Sequence, residues 1–350
     1  MRRALVTGSS GLVGSEMVAH LDGLGWAVDG VDSNMRADFF GPDGDTSANL
    51  AHLQRETRHF EHHGLDIRDR EGIASLVGRT RPDLVVHAAA QPSHDLAASR
   101  PFDDFEVNAV GTLNLLEAVR ASCPESPFVF ISTNKVYGDR PNRLPLVELE
   151  TRWDFADPAD REGIGESMSI DETLHSLFGV SKAAADLLVQ EYGRYFGLPT
   201  VCFRAGCLTG PQHAGVPLHG FLAYLARAVR EDLPYRVFGY KAKQVRDNLH
   251  SLDVCHAILA YAERPSVGAV YNLGGGRENS ISMLEGIARF EELYGRTLRW
   301  EYVEEPRIGD HVCYISDLSR FRADHPEWEV TVPLDEVIEG FAQTKSVSAS

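Results

Sequence analysis

The sequence predicts an α/β protein with a doubly wound parallel sheet and a smaller, mixed α/β lobe at the C-terminal end. Short apolar runs alternate with amphipathic stretches through the first 135 residues, which is the pattern of parallel strands joined by helices. The run Leu84-Val85-Val86 is apolar at every position, as expected where helices cover both faces of a sheet. After about residue 205, prolines and glycines interrupt this rhythm. We therefore predict a sheet domain over 1–205 and a second lobe over 206–343, with some exchange of chain between them.

The expected elements follow one another in a regular order. Strands are predicted at Ala4–Thr7, Trp26–Val31, Leu84–Ala90 and Phe128–Ser132. Helices of the sheet domain are predicted at Leu12–Leu24, Arg70–Gly78, Phe102–Ala121 and 178–196, and helices of the second lobe at 218–231, 251–263 and 282–294. The acid-rich segment 139–172 is interpreted as either a lid or a solvated loop. The small polar residues of 344–350 predict a disordered tail.

Composition indicates a cytoplasmic protein. The 350 residues carry a formal net charge of −17, which disfavours nucleic acid and anionic membranes as partners. Five cysteines without C-x-x-C spacing argue against a disulfide scaffold or a zinc ribbon. No apolar stretch reaches the roughly 20 residues of a membrane-spanning helix, and Ala4–Val6 is too short for a signal peptide. His59, His62 and His63 lack a well-spaced third ligand, so we predict strand-edge histidines and no metal site.

A glycine-rich segment lies between the first strand and the first helix. Gly8, Gly11 and Gly14 have the spacing of a turn that lets the backbone approach a pyrophosphate closely. The helix that begins with Leu12 and Val13 directs amide donors and a partial positive charge at the same place. This pattern predicts a Rossmann-type dinucleotide site, and a plain tight turn is the alternative.

Asp32 ends the second predicted strand. An acidic side chain there hydrogen-bonds the adenosine ribose hydroxyls and repels a 2′-phosphate, so NAD is favoured over NADP. Asn34 is assigned to the same site, and nearby Arg36 would weaken the preference. The alternative is that Asp32 is only a turn residue.

Two further segments are candidates for the cofactor site. Asp66 and Ile67 follow the third strand region and are placed around the adenine, with an N-cap of the next helix as the alternative. Ala88, Ala89 and Ala90 leave room for a cofactor at the carboxyl edge of the sheet, or else permit close packing of a helix on a strand.

Several motifs together resemble those of the extended short-chain dehydrogenases/reductases, the NAD-dependent epimerase/dehydratase family. They extend over nearly the whole chain: Gly8-x-x-Gly11-x-x-Gly14, Asp66-Ile67, His87-Ala88-Ala89-Ala90, Asn108 within 107–112, Ser132-Thr133-Asn134-Lys135-Val136-Tyr137-Gly138, Gly179-Val180-Ser181-Lys182, Arg204 and Arg246-Asp247. Within the family the sequence is most similar to the CDP-tyvelose (CDP-paratose) 2-epimerases, through 132–139, 243–250 and 114–120. The resemblance implies an NAD-dependent epimerase that oxidises a nucleotide sugar, with a CDP-sugar favoured, transiently to a keto-sugar.

The resemblance also implies a catalytic set of Thr133, residue 178 and Lys182. In the family, a tyrosine takes the hydroxyl proton, and a lysine four residues later binds the nicotinamide ribose and lowers the tyrosine pKa. A serine or threonine hydroxyl holds the reacting oxygen. Here the tyrosine position is Phe178, which has no ionisable proton. Either Phe178 is an engineered replacement that traps a ligand, or the chain is a natural member that uses a different base or does not catalyse.

The residues after Thr133 narrow the expected reaction. Family dehydratases carry Asp-Glu there and decarboxylases Ser-Glu, whereas this chain carries Asn134-Lys135. Epimerisation needs no such acid and is therefore favoured. A 4-epimerase, a dehydratase, an oxidoreductase and a non-catalytic NAD-binding protein stay open. Side chains expected to line the sugar pocket are Gln91, His94, Thr133, Asn134 and Lys135.

At the substrate end, Arg246 resembles the family arginine that grips the diphosphate, and its alternative is a salt bridge with Asp247 or Asp253. Lys243 and Arg204 are weaker candidates for the diphosphate. The resemblance places Asn108 and Arg204 at the cofactor, and Tyr137 is expected to pack. It also implies a homodimer built on helices 102–121 and 178–196, whose apolar faces include Ala183, Ala184, Leu187, Leu188 and Tyr195.

Overall fold

A computed structural model describes residues 1–210 and 220–343. The predicted tail 344–350 and the first two residues of the predicted helix 218–231 lie outside the described residues. The strands are β1 (Arg3–Thr7), β2 (Ala27–Val31), β3 (Phe60–His63), β4 (Leu84–His87), β5 (Phe128–Thr133), β6 (Leu146–Glu148), β7 (Trp153–Phe155), β8 (Thr200–Ala205), β9 (Cys207–Thr209), β10 (Tyr235–Phe238), β11 (Val245–His250), β12 (Ala269–Leu273), β13 (Ser280–Ser282), β14 (Trp300–Val303) and β15 (Cys313–Tyr314).

The helices are α1 (Leu12–Gly23), α2 (Met35–Phe40), α3 (Ser47–Glu56), α4 (Arg70–Thr80), α5 (His94–Ser99), α6 (Pro101–Phe105), α7 (Gly111–Ser122), α8 (Leu177–Phe196), α9 (Phe221–Glu231), α10 (Ser251–Glu263), α11 (Met283–Tyr294), α12 (Ser319–Asp324) and α13 (Leu334–Gln343). A π-helical turn, Glu106–Val110, joins α6 to α7, so the predicted helix 102–121 is continuous but locally widened. Short 3₁₀ turns occur at Gly41–Gly44, Asn134–Tyr137, Arg140–Arg143, Pro158–Asp160 and Tyr240–Ala242.

The central sheet has the predicted doubly wound topology. Among the described residues its strand order is β12-β8-β5-β4-β1-β2-β3, and all neighbours are parallel. The chain moves outward from β1 to β2 and β3, then crosses to β4 on the other side of β1. Because the connections leave β1 and β4 in opposite directions, a crevice opens at the carboxyl ends of these strands, where ligands bind in such sheets.

Alternating side chains of β1 show how the sequence fixes the layers. Ala4 and Val6 are fully buried in a core with residues of α1 and α10. Leu5 points the other way, into a second core with residues of α4, α7 and α8. Both α10 and the edge strand β12 come from the chain after residue 205 and pack with the elements of the first 205 residues.

The second lobe combines small sheets with a helical core. β10 pairs with β14, and β11 pairs with β9, β13 and β15. The buried side chains of α9, α11 and α13 form one apolar cluster that includes Leu225, Phe290 and Ile338. The segment 139–172 contains the β6–β7 hairpin and packs on this lobe, through the Trp153 amide to the Lys243 carbonyl (3.0 Å) and the Asp154–Arg277 ion pair (2.9 Å).

Helices α2 and α3 lie in a part of the chain for which the sequence predicts no helix. Helix α2 buries no residue and α3 buries Leu53, so neither carries the apolar stripe that would reveal it. The predicted strand-edge position of the histidines is confirmed, because β3 is an edge of the central sheet. In the described part of the chain, every helix is too short or too polar to cross a bilayer.

Candidate functional site

A cleft of about 880 Å³ runs along the carboxyl edge of the central sheet and continues between the two lobes. The residues that line it come from the glycine turn, from the ends of β2, β4, β5 and β8, from the start of α8 and from the second lobe. They include Gly8, Gly11, Leu12, Val13, Gly14, Asp32, Asp66, Ile67, Ala88, Ala89, Ala90, His94, Thr133, Asn134, Lys135, Phe178, Lys182 and Arg246. The structure thus brings together most of the predicted site residues.

The glycine turn is built so that only glycine fits. Gly8 has a left-handed φ of 69°, and a methyl group there would lie 2.8 Å from the Ala89 amide nitrogen. A methyl group at Gly14 would lie 2.0 Å from the Gly8 carbonyl oxygen. Gly11 caps α1 without any side-chain hydrogen bond, which leaves the first amides of this helix directed at the cleft. This arrangement suits an anionic pyrophosphate.

Asp32 lies at the end of β2, against the glycine turn. Its two carboxylate oxygens accept hydrogen bonds from the amides of Ser10 (3.0 Å) and Asn34 (2.8 Å), which fix the side chain beside the cleft. Burial lowers the pKa of Arg36, which also lines the cleft, although Asp32 opposes this effect. The Asn34 side chain does not line the cleft. It instead holds the loop before α3, through Asp45 (2.8 Å) and Thr46 (3.1 Å to its amide).

Asp66 and Ile67 line the cleft, and their place around the adenine stays a prediction. The alternative assignment of Asp66 as an N-cap is wrong, because Asp69 caps α4 by accepting a hydrogen bond from the Gly72 amide (3.0 Å). The Asp66 carboxylate instead accepts from the Arg68 guanidinium (2.8 Å).

Phe178 and Lys182 lie one turn apart on α8 and both line the cleft, with Thr133 at the end of β5. Ser176 caps α8 by accepting a hydrogen bond from the Gly179 amide (3.1 Å), which fixes where this helix begins. The Lys182 ammonium donates to the Ile131 carbonyl (2.9 Å) and lies over the Phe130 ring. Burial lowers the pKa of Lys182 to about 8.

Three residues that were predicted to contact a ligand lie behind the cleft and do not line it. Asn108 bonds to the backbone of Gln91 (2.9 and 3.1 Å) and to the hydroxyl of Ser181 (3.0 Å), and thereby fastens the loop after β4 to α8. The Gln91 side chain donates to Asp104 (2.7 Å). Arg204 forms a buried ion pair with Asp186 (2.9 Å). These three residues therefore stabilise the elements around the site. Their motifs identify the right region of the chain, but the side chains do not line the cleft.

Two of the remaining candidates also have structural partners. Tyr137 packs as predicted: it is fully buried, and its hydroxyl donates to Asn272 (2.8 Å). Lys243 pairs with Glu148 (2.8 Å) and does not line the cleft. Because Lys243 and Arg204 are both paired away from the cleft, Arg246 is left as the cation that the sequence predicts for the diphosphate.

A charged cluster closes the far end of the cleft. The acidic partner of Arg246 is Asp310, rather than Asp247 or Asp253. The Lys135 ammonium lies 3.5 Å from the Asp310 carboxylate and donates to the Gly309 carbonyl (3.0 Å). Burial would raise the pKa of Asp310, but Arg246 and Lys135 hold it far below its usual range. The Arg246 guanidinium lines the cleft beside Asp310, where its remaining N–H groups can bind an anionic ligand.

The sequence interpretation missed Asp310 and Arg307. Both line the cleft, and Arg307 pairs with Asp95 (2.5 Å). They lie between β14 and β15, far along the chain from the other site residues. An irregular loop of this kind carries no periodic signal, although the charged run Arg307-Ile308-Gly309-Asp310 marks it as more than a solvated connection.

The histidine-rich edge strand forms an ion-pair network. Donor atoms of Asp29, Glu61 and His63 lie within 4.8 Å of one another. Asp29 is already bound by the Arg3 guanidinium (2.7 Å) and by His63 (2.9 Å). These contacts satisfy the buried carboxylate without a metal ion.

Comparisons with known proteins agree with this geometry. The chain is 31% identical over 325 residues to the CDP-paratose 2-epimerase of Salmonella typhi, covering 91% of this chain and 92% of that protein. It is also 31% identical over 293 residues to a dTDP-glucose 4,6-dehydratase of Escherichia coli, covering 79% and 73%. The UDP-glucose 4-epimerase of Thermus thermophilus, solved with NAD, matches with a TM-score of 0.78 at 27% identity, covering 99% of this chain and all of that one.

These similarities confirm the resemblance that the sequence motifs carry. The family described as the NAD dependent epimerase/dehydratase family matches residues 4–274, which is most of the chain. This protein therefore belongs to the NAD dependent epimerase/dehydratase family, and NAD is its cofactor.

Proposed function

We propose that this protein is an NAD-dependent nucleotide-sugar epimerase most similar in action to CDP-tyvelose 2-epimerase. One observation supports this proposal above the others: a single cleft joins the glycine turn to the Arg246 cluster, with Thr133 and Lys182 between them. A dinucleotide at one end and a nucleotide diphosphate sugar at the other would meet at these two residues.

The residues at the glycine turn fit NAD. Gly8 and Gly14, which carry no Cβ atoms, and the amides at the start of α1 fit a pyrophosphate. The carboxylate of Asp32 fits a ribose diol. When bound, NAD supplies the hydride acceptor for oxidation of a sugar alcohol. Lys182 would hold the nicotinamide ribose, and the Thr133 hydroxyl would orient the reacting sugar oxygen.

The two cleft residues after Thr133 favour one type of reaction. Asn134 is buried and Lys135 carries the charge in this corner, so no carboxylic acid occupies either position. Elimination of a sugar hydroxyl needs an acid to protonate the leaving group, whereas oxidation and return of hydride to the opposite face does not. This favours an epimerase over a dehydratase, despite the equal identity to one dehydratase.

The proposed reaction is tested by incubating the protein with NAD and CDP-, UDP-, GDP- and dTDP-sugars that carry deuterium at C2 or C4. We expect inversion at C2, detected by NMR, and the CDP-sugar to react best. Inversion confined to C4 would contradict a 2-epimerase and indicate a 4-epimerase.

Phe178 keeps one other function open, a non-catalytic NAD-binding protein. Titration calorimetry separates the two, because an epimerase binds a nucleotide sugar in the cleft beside NAD. A protein that binds NAD but none of the four nucleotide sugars would be a sensor or scaffold.

Asp32 is expected to set the preference for NAD. Replacing Asp32 by Asn removes the charge that repels a 2′-phosphate and weakens the charge-assisted bonds to the ribose, each worth about 1.5–3 kcal/mol. We expect the ratio of NADP to NAD affinity to rise at least about tenfold, measured by titration calorimetry. Asp22→Asn is the matched control, because Asp22 also accepts two backbone amides but lies away from the cleft. An unchanged ratio in Asp32→Asn would contradict the assignment.

The proposal includes a cytoplasmic homodimer. Helix α8 exposes apolar side chains that a soluble monomer would leave in water, among them Val180 (45% exposed), Leu187 (46%) and Tyr195 (79%). A second copy of the chain would cover this face with the same apolar helix, as a two-fold interface requires.

A further inference from the structure

Phe178 leaves the reacting end of the cleft without the base that oxidation of an alcohol requires. The side chain is only 6% exposed, and its ring packs edge-on against His94 with centroids 5.1 Å apart. A hydrocarbon ring neither accepts nor donates a proton. Oxidation at this site, which rests on the proposed function, therefore needs a base on another element of the same wall.

Two of the neighbouring ionisable side chains are poorly suited to this task. His94 is held by the Ser176 hydroxyl at 2.6 Å, and burial lowers its pKa to about 3, so its imidazole is a very weak base. Lys182 is 3% exposed, and its ammonium is held between the Ile131 carbonyl and the Phe130 ring. That position suits a ribose contact at the back of the site.

Lys135 is the other lysine that lines the cleft. Its side chain is 15% exposed, and its backbone amide donates to the Thr133 hydroxyl (3.3 Å), the group assigned to the reacting oxygen. Its ammonium donates to the Gly309 carbonyl (3.0 Å), and a methyl group at Gly309 would lie 3.2 Å from the His94 ring. Lys135, His94 and Phe178 therefore form one continuous wall beside Thr133.

The charges around Lys135 allow a neutral amine. Burial lowers the pKa of Lys135 to about 8; Asp310 and Cys207 oppose this effect and Arg246 reinforces it. The two histidines that face it, His94 and His311, have pKa values lowered by burial and stay neutral.

We propose that Lys135 is the catalytic acid–base residue that acts where other family members use a tyrosine. The sugar O–H bond breaks toward the neutral Lys135 amine, and its electron pair forms the second C–O bond. Bound NAD would supply the acceptor for the hydride of the same carbon and would return a hydride to the other face. The Lys135 ammonium then gives its proton back to the oxygen, which restores the alcohol with inverted configuration.

Replacing Lys135 by Met tests this assignment. Loss of a general base costs ~10²–10⁴-fold in rate, so we expect turnover to fall by that factor. The wild-type rate should rise with pH through about 8, because only the unprotonated amine accepts a proton, and the variant should lose this dependence. Adding Phe178→Tyr to Lys135→Met should raise the turnover of that variant at least tenfold, because Lys182 is in place to assist a tyrosine. Rescue of this kind would not follow a merely structural loss.

The control variant is Lys241→Met, because Lys241 is an exposed lysine paired with Glu148 outside the cleft (2.7 Å), and its turnover should not change. A readout independent of turnover is the ¹⁵N NMR titration of the lysine side chains. Two resonances, those of Lys135 and Lys182, should titrate near pH 8, and one of the two should vanish in Lys135→Met.

Three results would overturn the proposal: an unchanged rate and pH profile in Lys135→Met, an ordinary lysine titration, or a gain of ~10²-fold or more from Phe178→Tyr alone. The last would show that Phe178 replaces a working tyrosine. If the wild-type protein binds none of the nucleotide sugars, the proposed function is refuted instead. The NMR titration would still show whether the Lys135 amine is neutral above about pH 8.

Discussion

Replacing Gly14 by Ala should abolish NAD binding at ordinary cofactor concentrations. The added methyl group would lie 2.0 Å from the Gly8 carbonyl oxygen and 2.6 Å from its carbon, so the turn backbone must move. Overpacking of this kind costs about 1–3 kcal/mol of unfolding free energy. The same movement displaces the amides at the start of α1. Loss of two hydrogen bonds from these amides to the pyrophosphate should raise the Kd for NAD by ~100-fold or more, because the two effects on the Kd multiply. Calorimetry and thermal unfolding measure the two effects separately.

Gly23→Ala is the control for this variant. Gly23 lies at the other end of α1, and a methyl group there meets nothing within 4 Å. Alanine favours a helix over glycine by up to about 1 kcal/mol, so this variant should be as stable as the wild type or more so. NAD binding should be unchanged. A Gly14→Ala protein that binds NAD like the wild type would show that the turn is not the pyrophosphate site.

Replacing Arg246 by Met should remove most of the affinity for the nucleotide sugar and leave NAD binding intact. A charge-assisted hydrogen bond contributes about 1.5–3 kcal/mol, which corresponds to a roughly 10- to 150-fold weaker Kd. Arg246→Lys should give an intermediate Kd, because a lysine keeps the charge but not the planar fork that matches a diphosphate. Calorimetry with the NAD-loaded protein measures each constant.

Arg277→Met is the control for a general effect of losing an arginine from the second lobe. Arg277 forms an ion pair with Asp154 (2.9 Å) outside the cleft. Its loss should leave the affinity for the nucleotide sugar unchanged. If Arg246→Met bound the nucleotide sugar with the wild-type Kd, the diphosphate would have to lie elsewhere.

The sheet and the cofactor end could be predicted because their signals are local. Leu84-Val85-Val86 is buried on both faces and is therefore apolar throughout, and Gly8 and Gly14 follow a strand directly. Helices α2 and α3 could not be predicted in the same way. They cover the sheet's edge region with few buried side chains, so their amphipathic pattern is weak.

The site was predictable only in part, because its second half is assembled by tertiary contacts. Lys135 and Arg246 were expected at the substrate, but their shared partner Asp310 lies 64 positions beyond Arg246 in an irregular loop. Asn108 and Arg204 belong to recognisable motifs, yet neither lines the cleft: Asn108 fastens the loop after β4 to α8, and Arg204 ties β8 to α8. A sequence motif identifies the segment of chain that builds the site. Which of its side chains contacts the ligand depends on the tertiary structure.

The most direct test of a shared site for NAD and a nucleotide sugar is stopped-flow absorbance of the NAD-loaded wild-type protein on mixing with a CDP-sugar. We expect the absorbance of reduced nicotinamide to rise and then fall as the hydride leaves the sugar and returns. If reduced nicotinamide forms with none of the CDP-, UDP-, GDP- and dTDP-sugars, although both ligands bind, transient oxidation is not the chemistry of this cleft.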